Sequence, residues 1–270
     1  MNDQTPSIAD RSDQEILGVI LSHSFEEDGH EYWSFVGILQ NRMTASLLHK
    51  MRMLILQKDE GQRKVAADVL AQGRAKDKEF SEECVKFLLD AMMHEESPKV
   101  LSAICNALGH HRAANAVGAL ATLQDHPDAS VRLAVVHGLS CLENPVAIAA
   151  LISLSADSDR DVRDWATFGL GSLTEVDSVQ LREALLARMT DNDEEISGEA
   201  MVGLAVRGDV RVAEPLLKVI NSIHESQLEY GSLIIEAVEA VRATASKHPN
   251  EAWHPFLNRC YELGLVKLSN

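Results

Sequence analysis

Histidine, glutamate and cysteine are the residues of this sequence whose chemistry would suit metal binding or nucleophilic catalysis. Adjacent His-Glu pairs occur at His30-Glu31, His94-Glu95 and His224-Glu225. An H-E-x-x-H metalloprotease helix places a second histidine one turn after the first, so that both reach one zinc ion. Neither His30 nor His94 is followed by such a histidine. We therefore interpret the three pairs as chance dipeptides.

The other reactive side chains form no recognisable constellation either. The His110-His111 pair falls in a predicted turn with no carboxylate or thiol cluster beside it in the sequence. The four cysteines are widely spaced and form no C-x-x-C pair: Cys84, Cys105, Cys141 and Cys260. Three of them fall in apolar helical patterns, where a reduced thiol behaves as a small hydrophobe. Phosphate-binding glycine loops and G-x-S-x-G are absent. We predict no catalytic residue, no metal ligand and no cofactor.

The elements that would position any site come from an internal repeat between residues 97 and 226. Four units begin at Ser97, Ala129, Arg160 and Glu194, and the anchor residues of their first helices are Val100, Val131, Val162 and Ile196. Successive anchors are 31, 31 and 34 residues apart. Such a period is typical of a solenoid, in which each unit buries its apolar face by stacking on its neighbours.

Positions within each first helix are counted from the anchor as offsets. Offset +8 is leucine in all four units, and offset +7 is always small: Ala107, Gly138, Gly169 and Gly203. Both offsets lie on one helical stripe with the anchor. A glycine inside a helix costs about 1 kcal/mol relative to alanine, so the small residue predicts that another helix approaches closely there.

The pattern predicts an all-α fold, a right-handed α-solenoid (superhelix) of about six antiparallel helix pairs. We assign residues 1–12 to a disordered N-terminus, 13–60 to N-terminal capping helices, 61–226 to the repeats and 227–270 to a C-terminal capping helix pair. The unit that starts at Gly61 is anchored near Val65. Acidic loops precede several first helices, and we expect their side chains to cap free N–H groups.

The opening D-x-x-V-R with a later G-L resembles the short HEAT-like repeat of the phycobilisome-lyase type. The match rests on Asp128 to Arg132 with Gly138-Leu139, on Asp159 to Arg163 with Gly169-Leu170, and more weakly on the unit of Ile196. The resemblance implies the fold, but such repeats serve enzymes, enzyme subunits and adaptors alike. Deoxyhypusine hydroxylases of this type hold iron with His-Glu pairs at equivalent helix positions, and the three pairs here share no such position.

Charge limits the partners that this chain can bind. The net charge is −16, although residues 40–80 carry nine basic and five acidic residues. An acidic field repels nucleic acid and anionic membranes, and no apolar run approaches the roughly 18 residues that cross a bilayer. We expect no nucleic acid or membrane as partner, a cytoplasmic location, and a protein partner that presents a basic face.

Apolar residues occur at offsets +2, +5 and +6, where a helix that faced only water would be polar. We predict that they form a partner-binding surface: Leu133, Val136, Phe168, Met201 and Val202. Packing between neighbouring repeats is the alternative. Trp165 either joins this surface or fills a gap in the core, and we favour the core. Arg132 and Arg163, at offset +1, are expected to pair with loop aspartates of the neighbouring unit.

The function most consistent with the sequence is a non-catalytic scaffold or adaptor that binds and regulates or sequesters a partner protein. The alternative is an enzyme component, either a bilin lyase subunit or a relative of deoxyhypusine hydroxylase.

Overall fold

A computed structural model describes residues 11–22, 29–72, 80–222 and 233–265. Its helices follow the helical periodicity of the sequence. Within these ranges the regular structure is helical. The α-helices are α1 (Asp13–Ser22), α2 (His30–Asn41), α3 (Ala45–Leu54), α4 (Glu60–Leu70), α5 (Ser81–Met92), α6 (Pro98–His110), α7 (Val117–Ala121), α8 (Ala129–Leu139), α9 (Pro145–Leu154), α10 (Arg160–Ser172), α11 (Val179–Arg188), α12 (Glu194–Val206), α13 (Ala213–Ser222), α14 (Leu233–Lys247) and α15 (His254–Glu262). Short 3₁₀ turns, Ala114–Ala116, Val210–Val212 and Glu251–Trp253, precede α7, α13 and α15. Among the described residues, no helix combines the length and the hydrophobicity that crossing a bilayer requires.

The chain divides into two compact units, Met1–Leu139 and Ser140–Asn270, a division that the repeat pattern does not predict. In the first unit, the first helices α4, α6 and α8 pack side by side, and α5 and α7 pack against them. In the second unit, the first helices α10, α12 and α14 do the same, while α9 contacts α11 and α13 contacts α15. The predicted all-α solenoid architecture is confirmed.

Short polar side chains fix where the first helices begin. Ser97, Asp159 and Asp193 each accept a hydrogen bond from a backbone N–H in the first turn, as expected of N-caps. The anchor follows its cap by three residues in each case. Asp59 caps α4 in the same way, which makes Gln62 the anchor and places Leu70 at offset +8. The prediction of an anchor near Val65 is therefore wrong. This repeat has the polar Gln62 where the other repeats have an apolar anchor, so the pattern did not show its register.

The N-terminal segment predicted to be disordered, residues 1–12, overlaps the described residues only at its end. Residues 1–10 lie outside the described ranges, but Ser12 lies within them and forms hydrogen bonds with Glu15. Its hydroxyl accepts from the Glu15 N–H at 3.3 Å, and Glu15 Oε2 accepts from the Ser12 N–H at 2.7 Å. This reciprocal pair is a capping box that starts α1.

Glycines allow the first helices to approach each other. A Cβ added to Gly203 would lie 2.6 Å from Gly171 Cα and 2.9 Å from Leu185 Cδ1. A Cβ at Gly138 would lie 3.0 Å from the Cys105 carbonyl oxygen. The prediction of close approach at offset +7 is confirmed at both positions. Gly171, at offset +9, is the partner glycine that the repeat pattern did not reveal.

Arginine side chains connect successive repeats. Arg163 Nε donates to Asp191 Oδ2 at 3.0 Å, and its Nη1 donates to the Asp157 carbonyl at 3.0 Å. The predicted pairing with the next acidic loop is confirmed for this residue. Arg63 forms the same kind of pair in the compact unit Met1–Leu139, where its Nε donates to Glu95 Oε2 at 2.7 Å. Arg132 donates to the carbonyl of His126, in its own loop, at 2.8 Å.

Candidate functional site

One face of the first helices carries polar and aromatic side chains that line grooves, and we call it the first-helix face. It consists of offsets −1, +2, +3 and +6. In the first unit these positions include Lys64 and Asp68 on α4, Ser102 and Asn106 on α6, and Ser130 and His137 on α8. In the second unit they include Asp164, Trp165 and Phe168 on α10, and Glu195 and Glu199 on α12. Each unit forms a groove on this face.

The groove of the second unit is the more distinctive, and we call it the acidic–aromatic groove. It has a volume of about 360 Å³ and is lined by Asp164, Trp165, Phe168, Glu195, Glu199 and Leu233. The Trp165 and Phe168 rings meet at 84°, with their centroids 5.8 Å apart. The Trp165 side chain is 45% exposed. The two rings therefore form an open corner at the surface, one helical turn apart on α10.

Arg160 occupies one edge of this groove. Its Nη1 donates to Asp164 Oδ2 at 3.2 Å, its Nε donates to Asp193 Oδ2 at 2.9 Å, and it also pairs with Glu195. These pairs are partly exposed, so each adds little to stability. They show that the carboxylates of the groove are arranged in a way that suits a guanidinium group.

Glu199 lies deeper in the groove and is held by a neutral partner. It accepts a hydrogen bond from Ser172 Oγ at 3.3 Å, and among the described residues no cation pairs with it. Burial raises the pKa of Glu199 to about 7, and the nearby carboxylates of Glu236, Asp164 and Glu195 act in the same direction. Burial likewise raises the pKa of Asp164, although Arg160 opposes the shift. The groove concentrates negative charge that lacks full neutralisation.

This combination of groups suits one kind of ligand. An aromatic face attracts a cation and also packs against a hydrocarbon stem, while carboxylates accept hydrogen bonds from ammonium or guanidinium N–H groups. An anion would meet repulsion from the carboxylates, and a purely apolar group would desolvate Glu199 further without supplying a cationic partner. The arrangement supports recognition of a long cationic side chain.

The groove of the first unit has a different character. Its volume is about 580 Å³, and Trp33, Lys64, Asp68, Asn106 and His137 help to line it. The buried Asp68 carboxylate accepts hydrogen bonds from the Tyr32 hydroxyl and from Lys64 Nζ, the latter at 3.0 Å. Lys64 Nζ also lies 4.9 Å from the Tyr32 ring centroid. These polar groups bind one another, which indicates a structural network.

Within the described ranges, the histidines singled out by the sequence do not gather into one site. His111 Nε2 lies 2.7 Å from the Leu70 carbonyl oxygen, and its Nδ1 lies 2.9 Å from Ser81 Oγ. It therefore links the end of α4, the start of α5 and the end of α6. Glu95, beside His94, is bound to Arg63, and His224-Glu225 lies outside the described residues. No group of three or more potential metal-binding His, Cys, Asp or Glu residues occurs within the described ranges.

The cysteines behave largely as their patterns indicate. Cys84, Cys105 and Cys260 are buried, whereas Cys141 is exposed. Burial raises the pKa of the Cys84 and Cys105 thiols to about 12. These two side chains are neutral hydrophobes at physiological pH.

The predicted apolar partner surface needs correction. Val136, Met201 and Val202 are buried, so the expectation that they face outward is wrong. Leu133 and Phe168 are half-buried. A first helix in a stacked array is covered on several sides, which is the alternative of packing between repeats. The favoured core position of Trp165 is also wrong, since its side chain is exposed.

Sequence reasoning missed the acidic members of the groove, Asp164, Glu195 and Glu199. The signal was present at offset +3, where Glu199 stands in place of the alanines Ala103 and Ala134. A carboxylate at a position that is alanine on α6 and α8 marks a break in the repeat. The consequence of that break depends on which side chains the neighbouring helix presents.

Comparison with known proteins identifies the repeat. Residues 85–171 match the family model described as HEAT repeats. This segment of the chain consists of HEAT repeats. Over 102 residues the chain is 30% identical to Protein YibA of Escherichia coli (strain K12), and this match covers 37% of the chain and 36% of YibA. The matched segment is thus little more than a third of that relative.

Solved structures share the fold over a longer range of the chain. The X-ray structure of E. coli YibA has a TM-score of 0.69 at 19% identity and covers 94% of both chains. A chain in the structure of Kap95p with RanGDP has a TM-score of 0.61 at 14% identity, over 97% of this chain and 38% of that one. A chain of the S. pombe condensin Cnd3–Cnd2 subcomplex has a TM-score of 0.59 at 15% identity, over 96% of this chain and 39% of that one. At these identities the likeness concerns the fold alone.

Proposed function

We propose that this HEAT-repeat protein is a non-catalytic scaffold that binds a partner protein with a basic face and regulates or sequesters it. The observation that carries the proposal is the acidic–aromatic groove, where the exposed Trp165 ring lies beside Asp164, Glu195 and Glu199. Exposed tryptophan is enriched among residues that dominate protein-protein binding. The surrounding carboxylates favour a positively charged partner.

The general use of the fold supports this class of function. The Kap95p–RanGDP and condensin Cnd3–Cnd2 structures, which contain chains of similar fold, are complexes between proteins. A stack of helices presents a long surface on which several separated side chains contact one partner. The first-helix face offers such a surface within each unit.

Affinity purification from the native cell, with identification of bound proteins by mass spectrometry, tests the proposal. We expect wild type to retain one or more proteins that rebind directly after purification and that have a basic surface. Trp165→Arg should abolish this retention, because it removes the aromatic surface and adds a positive charge that repels a basic partner and pairs with the carboxylates of the groove.

Val179→Arg is the matched control, since Val179 on α11 is 72% exposed and does not line the groove. It should leave retention unchanged. The proposal fails if purified wild type rebinds no protein, or if it binds only proteins with acidic surfaces.

A further inference from the structure

We propose that the acidic–aromatic groove binds one lysine or arginine side chain, presented by an extended basic segment of the partner. This inference rests on the proposed protein-binding function and names the chemistry of its contact. The lining and size of the groove determine which side chain can bind, because two aromatic walls and several carboxylates enclose a volume of about 360 Å³. That space accommodates a long side chain rather than a folded element.

The aromatic corner provides the apolar half of the contact. The Trp165 and Phe168 rings are nearly perpendicular, at 84°, so a side chain in the corner meets walls in two directions. Lysine and arginine have hydrocarbon stems that pack on such walls while the charged group remains at the polar end. Trp165 has the aromatic ring type that attracts cations most strongly.

The carboxylates provide the charged half. Asp164 and Glu195 already pair with Arg160, which shows that a guanidinium group fits between α10 and α12. Glu199 pairs with no described cation and accepts a hydrogen bond from Ser172. A second cation that enters over Trp165 would meet Glu199, and the net charge of the groove is negative even with Arg160 counted.

Proton binding should regulate this contact. The groups that face Glu199 are Ser172 and Asp164 from α10, Glu195 from its own helix, and Glu236 from α14. Burial, reinforced by these carboxylates, raises the pKa of Glu199 to about 7. Glu199 is therefore ionised above pH 7 and neutral well below it. The groove should hold a cation more weakly at pH 6 than at pH 8.

NMR titration of the full-length ¹⁵N-labelled protein with blocked peptides tests the proposal. The peptides have Gly-Ser flanks and one central residue, either lysine, arginine, norleucine or glutamate. The Trp165 indole signal, assigned with Trp165→Phe, is expected to shift on addition of the lysine or arginine peptide. Norleucine has the stem without the charge and should bind about tenfold more weakly or not measurably. The glutamate peptide should produce no shift.

Three variants locate the binding. Trp165→Ala should weaken the lysine peptide about tenfold, followed through the backbone signals of α10 and α12. Glu199→Gln should weaken it several-fold at pH 8 and remove the difference between pH 6 and pH 8. Trp33→Ala is the matched control, because Trp33 is 46% exposed but lines the other groove. It should leave the lysine affinity unchanged.

The outcomes separate this inference from the function on which it rests. Equal affinity for the lysine and norleucine peptides, or an unchanged affinity of Trp165→Ala for the lysine peptide, would overturn the proposal that the groove binds a cationic side chain. Retention of a purified partner by that same variant would then leave the protein-binding function intact. If no partner rebinds to wild type, the function itself fails whatever the peptides do.

Discussion

At the scale of single residues, Glu199 and Trp165 are the two departures from the repeat that create the candidate site. Both stand at offset +3, where Ala103 and Ala134 hold the equivalent positions in the first unit. Exchange of a small residue for a large one on the exposed face changes the surface without disturbing the stack. A repeat protein can thus acquire a binding site through individual side chains while its fold stays the same.

Glu199→Gln should stabilise the protein at pH 8 by about 1 kcal/mol or more. The folded-state pKa of Glu199, about 7, lies above its ordinary value of 4.5. The folded state therefore holds this proton more tightly, and wild-type stability falls as the pH rises through this window. One pKa unit corresponds to about 1.36 kcal/mol, and partial exposure reduces the effect. Urea unfolding of both proteins measures the difference.

The advantage of Glu199→Gln should disappear at pH 4, where the wild-type carboxyl is neutral in both the folded and unfolded states. Glu214→Gln is the control, because Glu214 is exposed and pairs with Lys218 on the surface of α13. It should show no stabilisation at pH 8. An equal gain at both pH values would mean that ionisation of Glu199 does not cause the effect.

At the scale of elements, glycine contacts between first helices set the spacing of the stack. Gly203 of α12 and Gly171 of α10 are so close that no Cβ fits between them. Arg207 adds polar bonds at the same junction. Its guanidinium donates to the carbonyls of Leu170, Gly171, Gly203 and Thr174 at 2.8 to 2.9 Å and to that of Val176 at 3.1 Å. The end of α10 is thereby fixed to α12, next to the helix turns that carry the groove.

Gly203→Ala should destabilise the second unit by about 1–3 kcal/mol, the usual cost of overpacking a tight core. The added methyl group would lie 2.6 Å from Gly171 Cα, and the helices would have to separate. Gly37→Ala is the matched control on α2, since a Cβ there meets nothing within 4 Å. This control should gain up to about 1 kcal/mol from helix propensity.

Guanidinium chloride unfolding, followed by circular dichroism, compares the two glycine variants. If Gly203→Ala unfolds at the wild-type denaturant concentration, the α10–α12 contact is looser than the structure indicates. If Gly37→Ala destabilises the protein, the space beside α2 is occupied.

At the scale of the whole molecule, charge is the dominant property. The net charge of −16 attracts a basic partner over distances longer than any single contact. Contacts such as the Trp165 corner act only after the partner has arrived, because aromatic packing has short range. Long-range charge and local packing should therefore affect different rate constants.

We expect the rate constant for association with a fluorescent oligolysine peptide to fall about tenfold or more between about 0.01 M and 0.15 M salt. The Debye length decreases from about 30 Å to about 8 Å over that range. Trp165→Ala should chiefly raise the dissociation rate. Stopped-flow fluorescence measures both rate constants. A salt-independent association rate would show that the overall charge does not steer binding.

The fold could be predicted because the repeat contains the information for it. Leucine at offset +8, a small residue at +7 and a short polar cap three residues before the anchor reflect local helix chemistry and nearest-neighbour packing. The unit of α4 shows the limit of this pattern. Gln62 replaces the apolar anchor, and its register became visible only through the positions of Asp59 and Leu70.

The site could be predicted only in part. Trp165 and Phe168 were recognisable as departures from the repeat, but their exposure was not, since the offset of Phe168 is buried on α12. Val202 shares offset +6 with Phe168 and is buried, whereas Phe168 is half-exposed. The carboxylates of the groove come from two helices, and sequence spacing does not show that they face each other.

The sequence by itself determined the helices, their caps and the close approach at glycine, because these depend on residues within one or two repeats. Only the tertiary structure decided which side of each first helix stays open. That outcome depends on how several neighbouring helices cover one another, and the cover differs between positions with the same offset. The tertiary structure therefore turned a set of irregular residues into a groove with aromatic walls and unneutralised carboxylates.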